Sequence, residues 1–308
     1  MINTERAMDY AQEQMERGDL DGAVATLVEL LGHDADHAEA HALLALVLVP
    51  RKRLHAALLE ARRALELEPD LLAGHVAMAN VSLARHDFAS ARIHLREAAQ
   101  IAPESAWVET HWVRLSMATD ALDDALAHAQ RANELQPSDA NILSWLALVH
   151  LRRGERRDAA HHAREALELD PEDVQALVVL GHCELEAGNV DGAREAGAWA
   201  LQLDPMNEAA LTLFGAIKAR RSFALGLWWR FQAFVSSGSN RRAIAILIGL
   251  YVIYRIGYIT LADHDEVKWA VGLQFAWIAF AVYTWVAPAM FMRSIRRETE
   301  QVSLRPDF

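Results

Sequence analysis

Five prolines, Pro69, Pro103, Pro137, Pro171 and Pro205, stand 34 residues apart without a slip. Six alanines keep the same beat at Ala23, Ala57, Ala91, Ala125, Ala159 and Ala193, and a second track follows at Ala64, Ala98, Ala132, Ala166 and Ala200. Three registers held in phase over two thirds of a chain specify a helix-turn-helix array before any other feature is weighed. Neither short amphipathic helix of such a unit can bury its apolar face alone, so neighbouring units must stack. The small residues mark where two backbones approach too closely for a larger side chain. Each proline ends the second helix of a unit, because it cannot continue one. The residues that follow are often acidic, Ser or Asn and are suited to cap the next helix.

On these registers the chain resembles the tetratricopeptide repeat family. The family frame sets repeats at 4–37, 38–71, 72–105, 106–139, 140–173 and 174–207, with a capping helix at 208–219. The small residue late in the first helix of each unit is matched by Ala11, Ala45, Ala79, Ala147 and Gly181, with Val113 the departure. The turn glycine is present as Gly18, Gly154 and Gly188 and is replaced by Lys52, His86 and Asp120 elsewhere. The expected fold class is an all-α superhelical solenoid of six repeats, spanning residues 1–219.

After the repeats the composition changes. Residues 220–240 are expected to form an interfacial amphipathic helix and linker, with Trp228 and Trp229 at headgroup depth. Residues 241–308 are expected to form a two-helix transmembrane hairpin with a basic tail. Its spans run from Ala243 to about Ala262 and from Trp269 to Met292, the second without a charge and long enough to cross the hydrocarbon. Arg241 and Arg242 flank the entry and Arg293, Arg296 and Arg297 the exit, so both termini are expected on the cytoplasmic side of an inner membrane. Arg255 interrupts the first span and is read as snorkelling to the headgroups. Trp269 is an interfacial anchor, and Gly272 with Ala276 offers a close-packing face to Ala245 and Gly249. The hairpin is also the candidate contact for homo-oligomers. No signal peptide is expected ahead of the repeats, since the first residues lack an apolar core.

The net charge of −12 is unevenly spread: acidic residues outnumber basic ones about two to one over 1–217, and basic ones prevail beyond. A repeat array this acidic excludes nucleic acid as a partner. The single cysteine, Cys183, allows no internal disulfide and is read as packing. Of the 14 histidines, His33, His37 and His41 are four apart, but the turn between units breaks the helix they would share. His94, His128 and His162 form a 34-residue ladder, spaced too widely for one metal. His161 and His162 stand one turn from Glu165, a sparse ligand set. No metal, cofactor or catalytic residue is expected, and with no glycine-rich phosphate loop or nucleophile elbow the chain does not read as an enzyme.

The resemblance implies a partner surface on the first helix of each repeat. Carried over, its positions are Ala73, Val76, Asn80 and Leu83; Trp107, Thr110, Arg114 and Met117; Asn141, Ser144, Leu148 and Leu151; and Gln175, Val178, His182 and Leu185. The candidate contacts are Asn80, Trp107, Arg114, Asn141, Ser144 and His182, with Trp107 an aromatic anchor and Arg114 a carboxylate holder. The subfamily that clamps chaperone tails places asparagine or basic residues where His111 and Trp145 stand here, which sets this chain apart from it. The expected function is a membrane-anchored scaffold that recruits a protein or peptide, with membrane lipids the other partner. The alternative is a repeat-regulated protein that handles lipid or solute through the hairpin.

Overall fold

The computed structural model describes residues 4–221, 240–263, 268–269 and 271–282. Thirteen helices follow one another over the first of these ranges. They are α1 (Thr4–Glu16), α2 (Leu20–His33), α3 (Ala38–Leu48), α4 (Leu54–Leu67), α5 (Leu72–Ala84), α6 (Phe88–Ile101) and α7 (Ala106–Ala118). Then come α8 (Leu122–Leu135), α9 (Ala140–Arg153), α10 (Arg156–Leu169), α11 (Val174–Glu186), α12 (Val190–Leu203) and α13 (Glu208–Arg221). A further helix, α14, spans Asn240–Asp263, and residues 268–269 and 271–282 are helical too. The chain divides into two compact units, Met1–Leu169 and Asp170–Phe308. The first holds five helix pairs, α1/α2 through α9/α10; the second holds α11/α12, the capping helix α13 and α14.

The first helix of each pair, and the capping helix, begin 34 residues apart from Thr4 to Glu208, and the reason is visible at the small residues. Ala23, Ala57, Ala125, Ala159 and Ala193 have no exposed surface, and Ala91 has 1 %. Ala64, Ala98, Ala166 and Ala200 are equally shut in. In the first repeat the same register is filled by Leu30, at 2 % exposure, because a terminal unit has a neighbour on one side only. Val113, the departure late in α7, is also fully buried. Gly181 on α11 meets the capping helix: a Cβ there would lie 2.4 Å from Leu213 Cδ2. Leu213, Phe214 and Ile217 of α13 are fully buried within this second unit. Cys183 is buried there as well.

The turns inside each repeat share one conformation. Gly18, Gly154 and Gly188 have φ of 74°, 80° and 89°; Lys52, His86 and Asp120, at the equivalent positions, have φ of 59°, 60° and 57°. In all six the next residue donates its N–H five residues back, as Asp19 does to Gln14 and Arg53 to Leu48. This is the six-to-one bond of the Schellman motif, which satisfies the orphan carbonyls at the helix end. Between repeats the caps follow the sequence: Ser105, Asp139 and Asp173 each accept from the N–H three residues on. Asn207 does the same for α13, accepting from Ala210. Leu71 fills this place ahead of α5 and makes no side-chain cap.

Beyond the repeats, α14 and residues 271–282 meet through aromatic rings. Tyr254 stacks on Trp277 with centroids 4.7 Å apart at 11°, and Tyr251 lies 6.1 Å from the same indole. Leu273 Cδ2 comes to 3.4 Å from where a Cβ on Gly257 would sit. Among the described residues a Cβ at Gly249 or Gly272 would have nothing within 4 Å, and Ala245, the expected partner on the first span, has its side chain outside them. Among the described residues no helix is long and apolar enough to cross a membrane. The side chains of 240–248 lie outside the described residues, as do 264–267 and everything after 282. The first expected span falls within α14, and the second runs past the described residues after 282. Trp228, Trp229, Arg293, Arg296 and Arg297 likewise lie outside it, and so do the side chains of Arg241 and Arg242.

The shared turn yields a test. A lysine held at positive φ costs about 1–2 kcal/mol, against roughly 0.5–1 kcal/mol for the extra unfolded-state freedom of glycine. Lys52→Gly should therefore raise stability by up to about 1 kcal/mol, whereas Gly154→Ala should lower it by about 1–2 kcal/mol. The urea midpoint of each variant beside the parent chain decides the matter, and equal midpoints would refute the strain.

Candidate partner-binding site

The expected contacts in the first unit separate by burial. Trp107, at the second position of α7, is 40 % exposed, whereas Thr110 one turn on is 8 % exposed. Val76 is fully buried, Ser144 is 1 % exposed and Met117 9 %. These three serve the packing between helices. Asn80 is also buried, and its Oδ1 accepts a 2.6 Å hydrogen bond from Arg114 Nη1 across one 34-residue step.

Around Arg114 lies a pocket of about 410 Å³ between α7 and α9. Its wall on α7 is Ala106, Trp107, Thr110, His111 and Arg114; on the other side stand Gln136, Asp139, Asn141, Ile142 and Trp145. The structure thus brings Trp107, Arg114 and Asn141 together. Ser144 points into the core. His182 belongs to the second unit, where burial lowers its basicity.

The electrostatics of the pocket are set by one guanidinium. Among the described residues Arg114 makes no ion pair with a carboxylate, and its hydrogen bond is to the neutral amide of Asn80. Burial pulls its pKa below the usual arginine value, but the group stays charged at any physiological pH. A half-buried cation whose side-chain hydrogen bond goes to a neutral amide has further N–H donors suited to an anion. Asp139 lines the same pocket, but its Oδ1 is occupied in capping α9 at Ile142 N, 3.1 Å away.

His111 adds a neutral polar edge. Its Nδ1 lies 2.7 Å from the Trp107 carbonyl oxygen. A carbonyl only accepts, so Nδ1 carries the proton and Nε2 the lone pair. Burial, reinforced by the charge of Arg114, pushes the pKa of His111 down to about 4. The ring also meets Trp107 edge to face, at a centroid distance of 5.3 Å. The pocket therefore offers one positive charge, the Asp139 carboxylate opposite it, one neutral imidazole and two indoles.

Away from the pocket, pairing runs down the array at a spacing of 19 residues. His41 Nδ1 lies 2.6 Å from Glu60, His75 Nδ1 3.2 Å from His94, and His128 Nδ1 2.6 Å from Glu109. In each pair one partner is on the first helix of a repeat and the other on its second. Each rung of the histidine ladder is thus engaged within its own repeat. His128 also stacks on Trp112 at 5.3 Å and 11°, and His162 on His150 at 5.4 Å and 23°. Neither pairing was legible in the sequence, because it depends on where the two helices cross. The triplet His33, His37 and His41 does not converge: His37 Nδ1 accepts from Ala40 N at 3.2 Å, capping α3, while His41 turns to Glu60.

Comparison with known proteins agrees with this architecture. Residues 9–71 and 146–208 match the family model described as tetratricopeptide repeat, which together is less than half of the chain. No curated protein matches the sequence. Among solved structures, a tetratricopeptide repeat protein from Parabacteroides merdae superposes with a TM-score of 0.58 at 12% identity, over 70% of this chain and 85% of its own. PilW, described as a widely conserved type IV pilus biogenesis factor, gives 0.53 at 19% identity over 69% and 99%. PilF of Pseudomonas aeruginosa gives 0.51 at 19% identity over 71% and 99%. Likeness at these identities shows the fold.

Because the folded chain holds His111 neutral, the unfolded chain takes up its proton more readily. The folded-state pKa lies below the ordinary 6.5, so the stabilisation is present above pH 6.5 and drains as pH falls toward 4. His111→Gln should flatten that part of the pH–stability curve, by up to about 3 kcal/mol over the full interval. Urea midpoints at half-unit pH steps measure it, and parallel curves for the two proteins would contradict the assignment. The two matched segments thus resemble tetratricopeptide repeats, and the superposed structures share the all-α repeat fold.

Proposed function

We propose that this chain is a membrane-held scaffold that recruits a protein or peptide through the α7–α9 pocket. The observation that carries this reading is Arg114, a half-buried guanidinium with no carboxylate partner among the described residues, lining the pocket with Trp107 and Trp145. A pocket of this make-up suits a carboxylate beside an apolar or aromatic side chain. Trp107 and Trp145 supply contact area at low entropic cost and Arg114 fixes orientation. Asn141 at the rim can bond a peptide backbone. Recruitment rather than chemistry is the proposed mechanism, since holding two partners together raises their effective concentration without any new contact.

The membrane part of the proposal draws on which residues face outward after the repeats. Val252, Ile253, Ile256 and Ile259 of α14 are exposed, as are Trp269, Val271, Phe275, Ile278 and Val282; Ile253 reaches 70 % and Phe275 68 %. A helix pair with Tyr254 and Trp277 half-buried against each other and branched aliphatics outside is built for an apolar surrounding. Arg255, whose guanidinium lies 5.8 Å from the Tyr258 ring centroid, is the polar interruption, with a long stem suited to snorkelling. The proposed location is a cytoplasmic membrane, with both ends of the hairpin on the inner side, following the arginines that flank it.

An affinity purification from detergent-solubilised membranes tests both parts. The native chain should retain a protein partner that a Trp107→Ala, Arg114→Ala double variant loses, with the helical circular dichroism of the two unchanged. A chain ending at residue 221 should leave the membrane pellet for the soluble fraction yet keep that partner. A partner retained by the double variant would remove the pocket from the proposal, and a truncated chain still in the pellet would remove the hairpin.

A further inference from the structure

On α10, three side chains that the scaffold reading does not use converge on one point. His162 Nδ1 lies 2.9 Å from Glu165 Oε2, and His161 Nε2 lies 3.5 Å from Glu165 Oε1. One ligand atom from each of the three falls within 4.8 Å of the others. Adjacent residues on a helix point about 100° apart, so their convergence on a single carboxylate is a feature of these rotamers and not of spacing alone. The position of the His162 ring is held from behind. The ring stacks on His150, whose Nδ1 is 2.6 Å from Glu155 Oε2, and Glu155 Oε1 in turn accepts from Arg153 Nε at 2.9 Å.

We propose that His161, His162 and Glu165 form a binding site for a divalent transition-metal ion of the zinc class. Two imidazole nitrogens and a carboxylate oxygen make a borderline ligand set, which favours zinc, cobalt, nickel or copper over magnesium or calcium. The gaps of 2.9 and 3.5 Å bracket the separation of ligands that share an ion at about 2.0–2.2 Å in tetrahedral geometry. In the ion's absence each imidazole turns an N–H toward Glu165. On binding, each moves that proton to its other ring nitrogen and gives its lone pair to the metal, so neutral histidines need release no proton. His161 is exposed, at 66 % of its side-chain surface, and leaves room for a fourth ligand, which is water or a group from another molecule. The second candidate cluster, His150, Glu155 and Asp158, is the poorer one. The Arg153 guanidinium already occupies Glu155 there and would repel a cation.

The test uses the full chain in detergent, stripped with a chelator and titrated with zinc ion by calorimetry. The expected result is one strong site per chain, weakened at least tenfold by each of His161→Gln, His162→Gln and Glu165→Gln. His55→Gln, an exposed histidine on α4, should leave the affinity unchanged. Zinc should also raise the unfolding midpoint of the parent chain, but not that of the Glu165→Gln variant, because an ion that binds only the folded state stabilises it. Circular dichroism confirms that the variants fold. No strong site in the parent, an affinity indifferent to the three substitutions, or an equal loss in His55→Gln would each overturn the proposal.

Discussion

The contact on which the array depends is the crossing of two helices at a methyl group. Ala23, Ala57, Ala125, Ala159 and Ala193 have lost all their surface, yet each contributes little transfer energy of its own, about one methyl's worth. Their importance is negative. A larger side chain at any of them would push the helices apart and void the contacts of the leucines and valines around it, an overpacking penalty of about 1–3 kcal/mol. The period of 34 follows from that constraint, since each unit must present its small residue to the next at the same height. Stability is then spread along the array as repeat and interface terms. No single apolar residue carries the fold.

That distribution explains which parts of the chain were legible. Helix positions could be read from the alanine and proline registers because the same constraint recurs six times. The left-handed turns could be read from Gly18, Gly154 and Gly188, and they persist at Lys52, His86 and Asp120 because the flanking helices dictate the turn. The partner surface was less legible. Positional frames mark which side of a helix a residue occupies, but Val76 and Ser144 are shut in by neighbours that the frame does not describe. The pairing of Glu109 with His128, and the convergence of His161 and His162 on Glu165, depend on crossing geometry and rotamers. A one-dimensional pattern holds neither. Arg114 with Asn80 is the intermediate case: the residues are 34 apart and share a register, so their proximity was readable and their hydrogen bond was not.

The segment after the repeats obeys different physics. Within the repeats small residues bring helices together, whereas Tyr254 and Trp277 hold α14 and 271–282 at the distance of stacked rings. Offset aromatic stacking adds about 0.5–1.5 kcal/mol beyond the area buried, so the pair does not need a close glycine face. Sequence pattern alone favoured Gly249 and Gly272, because small residues four apart are what close packing between apolar helices uses. By sequence Tyr251, Tyr254 and Tyr258 fit interfacial or hairpin-packing roles, and the first two meet Trp277. The exposed aliphatics are what such an arrangement leaves over.

Arg114 sets the relation between stability and function in this chain. A half-buried guanidinium bonded to one neutral amide is a poor way to stabilise an array, because no direct ion pair offsets its partial desolvation. The surroundings of Arg114 accommodate the charge and do not neutralise it. Asn80 accepts one hydrogen bond from a step away in the repeat frame, His111 stays uncharged beside it, and Asp139 is diverted to capping α9. A pocket that keeps a cation unpaired with the carboxylate across from it has its electrostatics arranged for a group that arrives from outside. That arrangement is stable only because the neighbouring repeats supply the packing, which ties the pocket to the methyl contacts from which the array is built.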